Sequence, residues 1–198
     1  EIIKFYHFAR WADDIADHPS LSSEEKLRLL TDDHDNIFLN DLLKAFRQDV
    51  TKKRYKDISE LMDYCALSAN PVGRYLLSLH AITEHNYESD CLCSALQILN
   101  HLQDCQKDFK ELDRIYLPQN LLDETTSFEI ELVKKECSPA FRKVLDQCLD
   151  HCNYLILEAI SLPKKVSSWR MRYQIKVTLL CALALSGKLR RNDPLSIR

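Results

Sequence analysis

Residues 138–159, SPAFRKVLDQCLDHCNYLILEA, are the stretch that decides the fold class of this chain. They begin with Ser138 and Pro139, a pair typical of the N-cap and first position of an α-helix. Apolar side chains then recur every three or four residues, which places them on one face of a helix. They are Phe141, Val144, Leu145, Cys148, Cys152, Leu155, Ile156 and Ala159. The pattern predicts one long helix with a buried face.

Helical periodicity continues outward from this stretch in both directions. It predicts further helices over residues 22–30, 40–49, 58–85, 89–109 and 166–191, whereas strand alternation occurs only in fragments. The apolar residues from Ile2 onward follow a helical pattern without a preceding cap, so we expect the first helix to begin upstream of Glu1. These features predict an all-α fold, a helical bundle in a single domain over residues 1–198.

The composition supports such a domain and excludes several other classes of protein. The 198 residues are 45% hydrophobic and 29% charged, which is enough for a core and a soluble surface, and 2 glycines are too few for a sandwich or barrel. A net charge of −3 argues against a nucleic-acid partner. The longest apolar run, residues 177–185, is too short to span a membrane. We interpret the 8 cysteines as buried thiols of a cytoplasmic protein; the sequence indicates no oligomeric state.

Two pairs of aspartates are the strongest candidates for a functional site. Asp13 and Asp17 are four residues apart, as are Asp104 and Asp108, so each pair projects from one face of its helix. The second row also includes Gln97 and Asn100. Oxygen ligands of this kind suit Mg²⁺ that is shared with a phosphate group. Because this spacing also arises by chance, the apolar and aromatic residues that flank these two pairs are what distinguish them.

Two other features bear on the same site, and a third aspartate pair does not. Arg10 lies three residues before Asp13, where it can pair with that carboxylate or bind a phosphate bidentately. Pro71 and Gly73 interrupt a helical pattern and predict a kink, which often marks a cavity inside a bundle. A third aspartate pair, Asp146 and Asp150, lies among polar and basic residues, and we interpret it as a solvated face.

Together these motifs resemble the squalene/phytoene synthase family over residues 6–191. The resemblance rests on Arg10-x-x-Asp13-Asp14-x-x-Asp17, residues 64–73, Gln97-x-x-Asn100-x-x-x-Asp104-x-x-x-Asp108 and Arg114-Ile115-Tyr116-Leu117-Pro118. It implies an isoprenoid-synthase-type bundle around a central cavity, and an enzyme that ionises a prenyl diphosphate. Family members start upstream of Glu1 and have a longer connection at residues 30–40, so we expect this sequence to be incomplete at both places.

The resemblance also implies a role for each candidate residue. Mg²⁺, or Mn²⁺ in its place, would be held against the diphosphate by Asp13, Asp17, Asn100, Asp104 and Asp108. Arg10 and Tyr64 would take part in catalysis. The substrate would contact Tyr6, Gln97, Gly73, Arg114 and Tyr116. No nicotinamide cofactor is predicted, because no glycine-rich dinucleotide motif follows a strand.

Within the family, three segments are most similar to the bacterial hydroxysqualene synthase branch: residues 8–10 (FAR), 45–50 (AFRQDV) and 68–74 (SANPVGR). This similarity implies presqualene diphosphate as the substrate and hydroxysqualene as the product, on the route to squalene and hopanoids. Two alternatives stay open: a synthase that condenses two farnesyl or geranylgeranyl diphosphates, and a non-catalytic assembly factor of the same fold. Lys188, Arg190 and Arg191 follow the longest apolar run, so we also expect peripheral contact with the inner face of a membrane.

Overall fold

The computed structural model describes residues 1–31, 34–82, 84–122 and 126–195 of this chain. Within these ranges the helices are α1 Ile2–Ala16, α2 Ser23–Leu29, α3 Ile37–Thr51, α4 Ile58–Ser68, α5 Asn70–Leu79, α6 Asn86–Leu112, α7 Phe128–Leu132, α8 Pro139–Ala159, α9 Leu162–Lys165 and α10 Trp169–Arg191. Two short strands, β1 Arg54–Tyr55 and β2 Ile115–Pro118, pair in parallel. The predicted all-α class is confirmed.

Helices α6 and α8 pack together at the centre of the main hydrophobic core. Ser138 caps α8 as predicted, because its Oγ accepts a hydrogen bond from the backbone N–H of Phe141 at 3.1 Å. The whole predicted apolar face of α8 is buried, and burial of each large side chain contributes roughly 1.5–3 kcal/mol. Five of the cysteines are buried as predicted, whereas Cys181 is exposed.

The predicted helix over residues 58–85 is interrupted where the sequence predicts a kink. Helix α4 ends at Ser68, Ala69 has a φ of −126° and a ψ of −45°, and α5 begins at Asn70. Pro71 lies in the first turn of α5, where its missing N–H costs no helical hydrogen bond. The kink is therefore confirmed, but α5 ends at Leu79 and α6 does not begin until Asn86.

The small parallel sheet is the part of the fold that the sequence did not predict. Strands of two and four residues are too short for a visible alternation of apolar and polar side chains. The backbone N–H of Ile115 donates to the carbonyl of Lys53 at 2.9 Å, which fixes the chain after α6 beside the chain after α3. The sheet thereby places Arg114 and Tyr116 next to the end of α3.

Two predictions about the N-terminal part concern segment boundaries. The first helix, which we expect to begin upstream of Glu1, begins at Ile2 in this structure. The helix predicted over residues 40–49 begins earlier, at Ile37, after the N-cap Asn36. Asp32 and Asp33, in the connection that we expect to be incomplete, lie outside the described residues. None of the helices described is long and apolar enough to cross a membrane.

Gly73 allows α5 and α6 to approach closely. A Cβ at this position would lie 2.5 Å from Ser89 Oγ and 2.6 Å from Cys93 Sγ, closer than real Cβ atoms come to other atoms. Both neighbours have short side chains with little freedom to withdraw. An alanine here would therefore push the two helices apart.

We expect Gly73→Ala to lower the free energy of unfolding by about 1–3 kcal/mol, the usual cost of overpacking. Gly187→Ala is the matched control, because a Cβ there meets only the flexible end of Arg191 at 3.4 Å, inside α10. That variant should be neutral or stabilised by up to about 1 kcal/mol. Urea denaturation measures both, and equal effects at the two glycines would contradict the packing argument.

Candidate active site

A cavity of about 610 Å³ lies between α1, α3, α4, α6 and β2. All but two of the predicted site residues line it: Tyr6, Arg10, Asp13, Asp17, Tyr64, Gln97, Asn100, Asp108, Arg114 and Tyr116. Asp104 is half-buried on α6, one helical turn from both Asn100 and Asp108, and is not among the lining residues described. The structure thus brings the aspartate pair of α1 and one aspartate of the α6 pair to the same cavity.

The α1 side of the cavity concentrates negative charge. Burial, together with the charge of Asp17, raises the pKa of the Asp13 carboxyl from 3.8 to about 6, against the opposing effect of Arg10. Arg10 donates to Asp13 Oδ2 at 3.0 Å and pairs with Asp14 Oδ1 at 2.9 Å, but 59% of its side chain is exposed. Such an exposed pair is weak and can exchange for another anion.

Arg114 connects the cavity floor to the end of α1. Its Nη1 donates to Asp17 Oδ1 at 2.6 Å, its Nη2 donates to the carbonyl of Ala16 at 3.2 Å, and its Nε donates to the carbonyl of Asp49 at 3.0 Å. Burial opposes the guanidinium charge, but Tyr116, Asp49 and Asp17 hold its pKa above the usual value. Arg114 is therefore a permanent buried cation with several partners; its contact with a substrate stays a prediction.

Asp49 is the central residue that the sequence analysis missed. Its buried carboxylate accepts hydrogen bonds from the hydroxyls of Tyr64 and Tyr116, each at 2.8 Å. Burial raises the pKa of Asp49, while Arg114 and the two hydroxyls act in the opposite direction. Burial and the Asp49 charge also raise the pKa of both tyrosines well above normal, so each remains an O–H donor. The sequence pattern that could have identified Asp49 is its helical spacing from Leu42 and Ala45, which places an acidic side chain on the buried face of α3.

The α6 side presents the amide of Gln97 and the imidazole of His101 beside Asp108. Gln97 Nε2 lies 3.1 Å from His101 Nε2, and His101 Nδ1 lies 3.7 Å from Asp108 Oδ2. The imidazole of His101 stacks on Tyr116 with ring centroids 3.6 Å apart. His101 was not predicted, although it follows Asn100 directly in the motif.

The third aspartate pair lies at the surface of α8, as predicted. Arg142 binds Asp146 at 2.7 Å, and Arg190 binds Asp150 at 2.6 Å. The Asp150 side chain is 69% exposed. Neither aspartate lines the 610 Å³ cavity.

A second cavity of about 170 Å³ adjoins the first and is almost wholly apolar. Val72 lines both cavities, so they lie on two sides of this residue. Gly73 lines the second cavity rather than the first, together with Leu76, Leu92, Leu96 and Ile175. The site therefore consists of a polar chamber and an apolar chamber on two sides of Val72, at the start of α5.

This all-α bundle has the isoprenoid-synthase fold, which solved squalene synthases share. The model of the squalene/phytoene synthase family matches residues 30–198, and the chain therefore belongs to that family of isoprenoid-biosynthesis enzymes.

Known relatives agree with this assignment and extend it to α1. The hydroxysqualene synthase of Rhodopseudomonas palustris is 36% identical over 223 residues, and that of Zymomonas mobilis is 32% identical over 225 residues. Each alignment covers 100% of this chain and 76% of the relative. The crystal structure of squalene synthase HpnC from Alicyclobacillus acidocaldarius superposes with a TM-score of 0.79 at 25% identity, over 94% of this chain and 81% of that one.

Removal of the Asp49 carboxylate, which accepts hydrogen bonds from both Tyr64 and Tyr116, should lower the stability of the fold. We expect Asp49→Leu to lower the free energy of unfolding by about 2–4 kcal/mol, because two buried hydroxyls lose their acceptor. Asp49→Asn is the control, since its amide can serve both hydroxyls, and it should cost less than half as much. Denaturant unfolding measures both variants. A leucine variant as stable as the wild type would show that the hydroxyls have other partners.

The raised pKa of Asp13 predicts a pH-dependent stability difference. Because the folded pKa of about 6 exceeds the unfolded value of 3.8, the folded state holds the proton more tightly, and ionisation of Asp13 destabilises it as pH rises. In metal-free buffer, Asp13→Asn should therefore gain thermal stability over the wild type between pH 4 and pH 6, and keep that gain at pH 7. Asp14→Asn, which removes the other partner of Arg10, is the control. A gain that is the same at pH 4 and pH 7 would contradict the raised pKa of Asp13 in the folded state.

Proposed function

We propose that this chain is a hydroxysqualene synthase: it ionises presqualene diphosphate, and water captures the cation to give hydroxysqualene. The names of the two relatives that align with the whole of this chain support the proposal. The observation that carries it is the placement of a polar, carboxylate-bearing cavity and an apolar cavity on two sides of Val72. A substrate with a diphosphate head and long hydrocarbon chains needs both environments side by side.

Mg²⁺ is the proposed cofactor, with Mn²⁺ as a substitute. Asp13, Asp17, Asn100 and Asp108 offer oxygen donors to one cavity, and a cation would offset the burial and the Asp17 charge that raise the pKa of Asp13. In the described part of the chain, no three His, Cys, Asp or Glu side chains are grouped closely enough to hold a metal ion. Mg²⁺ usually keeps several waters and binds through a few carboxylates and substrate phosphates, so these donors fit it. When bound, it would stabilise charge on the leaving diphosphate. Asp104 stays a predicted ligand.

Other side chains of the cavity would bind the diphosphate and stabilise the carbocation in the proposed reaction. Arg10 is exposed at the cavity, where it can leave Asp13 and Asp14 to bind the diphosphate bidentately. Tyr64 and Tyr116 have their hydroxyls engaged by Asp49, so each presents a fixed aromatic ring to the cavity. Aromatic rings attract a nearby carbocation through their quadrupole. Tyr6 remains a predicted substrate contact on α1.

The reaction can be tested directly. Purified protein with Mg²⁺ and presqualene diphosphate should release diphosphate and form hydroxysqualene, with the oxygen derived from ¹⁸O-labelled water and no requirement for a nicotinamide. Excess chelator should abolish turnover. Consumption of farnesyl or geranylgeranyl diphosphate alone, with presqualene diphosphate or phytoene as product, would establish the condensing alternative instead. A protein inactive on all three substrates would favour the assembly-factor alternative.

Peripheral membrane contact and a cytoplasmic location stay predictions. Helix α10 exposes Trp169, Tyr173 and Leu180 on one side, a pattern that supports contact with an apolar surface. Of the basic residues in its last turn, Arg190 pairs with Asp150 of α8.

A further inference from the structure

The boundary between the two cavities contains a hydroxyl group without a partner. Ser68, the last residue of α4, lines the polar cavity, and its Oγ is buried with no hydrogen-bond partner in the described structure. Val72, which lines both cavities, lies four residues later in the chain, in the first turn of α5 beyond the break at Ala69. Burial of an unpaired hydroxyl is unfavourable unless water or a ligand satisfies it. Ser68 therefore indicates a bound polar molecule at this boundary.

The contacts on either side of Gln97 place this residue of α6 level with Ser68. Helix α4 and the first turn of α5 run antiparallel to α6, as one contact on either side of this pair shows. The two contacts are Tyr64 with His101, whose ring centroids lie 5.9 Å apart, and Asn70 with Ser94, whose side chains form a 2.9 Å hydrogen bond. Ser68 lies between the first members of these two contacts and Gln97 lies between the second members. Both residues line the polar cavity.

His101 determines which group Gln97 can offer to a ligand. The two side chains meet through their Nε2 atoms at 3.1 Å, so one nitrogen donates and the other accepts. An amide nitrogen can only donate, whereas neutral imidazole has one acceptor nitrogen; Gln97 therefore donates to His101. Stacking on Tyr116 fixes the plane of the imidazole. The carbonyl oxygen of Gln97 is then the group that remains to accept a hydrogen bond.

We propose that Ser68 and Gln97 bind the water molecule that captures the cation, and that His101 is a positioning residue that orients Gln97. The inference rests on the proposed function and specifies how its product is selected. A water molecule at this place would have the Ser68 hydroxyl and the Gln97 carbonyl as hydrogen-bond partners. It would lie where the hydrocarbon chains of the substrate meet its diphosphate. The water oxygen donates a lone pair to form the C–O bond with the cation. The proton that it then loses passes to the diphosphate, the base that ionisation has just released.

The first test is the distribution of products formed from presqualene diphosphate. Ser68→Ala should lower the ratio of alcohol to hydrocarbon and rearranged products by about fivefold or more, while total diphosphate release stays within about twofold of the wild type. Ser68→Thr retains a hydroxyl and should restore the alcohol. Ser94→Ala is the matched control, because it removes a buried hydroxyl from the neighbouring contact between α5 and α6, outside both cavities. An unchanged ratio in Ser68→Ala, or an equal change in Ser94→Ala, would overturn the proposal.

The role of His101 has its own pair of variants. His101→Phe retains an aromatic ring beside Tyr116 but removes the acceptor for Gln97, and it should shift the product ratio in the same direction as Ser68→Ala. His101→Gln restores a polar terminus and should recover part of the alcohol. A normal product ratio in His101→Phe would remove His101 from the proposal.

A second measurement does not depend on the identity of the substrate. A crystal structure with Mg²⁺ and inorganic diphosphate should show an ordered water within about 3.2 Å of both Ser68 Oγ and the Gln97 carbonyl oxygen. Absence of this water would overturn the inference. If the water is present but the wild type does not consume presqualene diphosphate, the proposed function fails while the water site stands.

Discussion

The buried carboxylate of Asp49 is the constraint on which the rest of the site depends. A carboxylate that leaves water must find hydrogen-bond donors, and Asp49 obtains two tyrosine hydroxyls, one from α4 and one from β2. The guanidinium of Arg114 binds the carbonyl of the same residue. Helix α3, helix α4 and strand β2 are therefore held together around one charge. Any shift of one element would leave a buried polar group unpaired.

This arrangement divides the cavity into a fixed wall and an exchangeable opening. Arg114 extends the network from Asp49 to Asp17, so it also fixes the end of α1 and the position of the first aspartate pair. Arg10, by contrast, is largely exposed and holds its aspartates by weak surface pairs. In the proposed reaction, the fixed wall would orient the carbocation, and the exchangeable pairs would allow the diphosphate to enter and leave.

Local patterns predicted a large part of this structure. The apolar stripe and cap of α8, and the kink before Pro71, each depend on residues within one or two helical turns, and the structure confirms them. Asp49 could not be assigned in this way, because its tyrosine partners lie 15 and 67 residues away in the chain. Periodicity also placed Asp104 and Asp108 on one face, but it could not show that only Asp108 lines the cavity described. The same holds for Gly73, whose significance depends on the side chains of α6 that face it.

A double-mutant cycle between Tyr64→Phe and Tyr116→Phe tests the central role of Asp49 most directly. Each single change removes one donor, and the double change leaves the buried carboxyl with neither hydroxyl. If both hydroxyls stabilise the same charge, the free energies of unfolding measured by denaturant titration will be non-additive by at least about 0.5 kcal/mol. Additive losses would mean that the two tyrosines act independently, and would contradict the view that Asp49 organises the site.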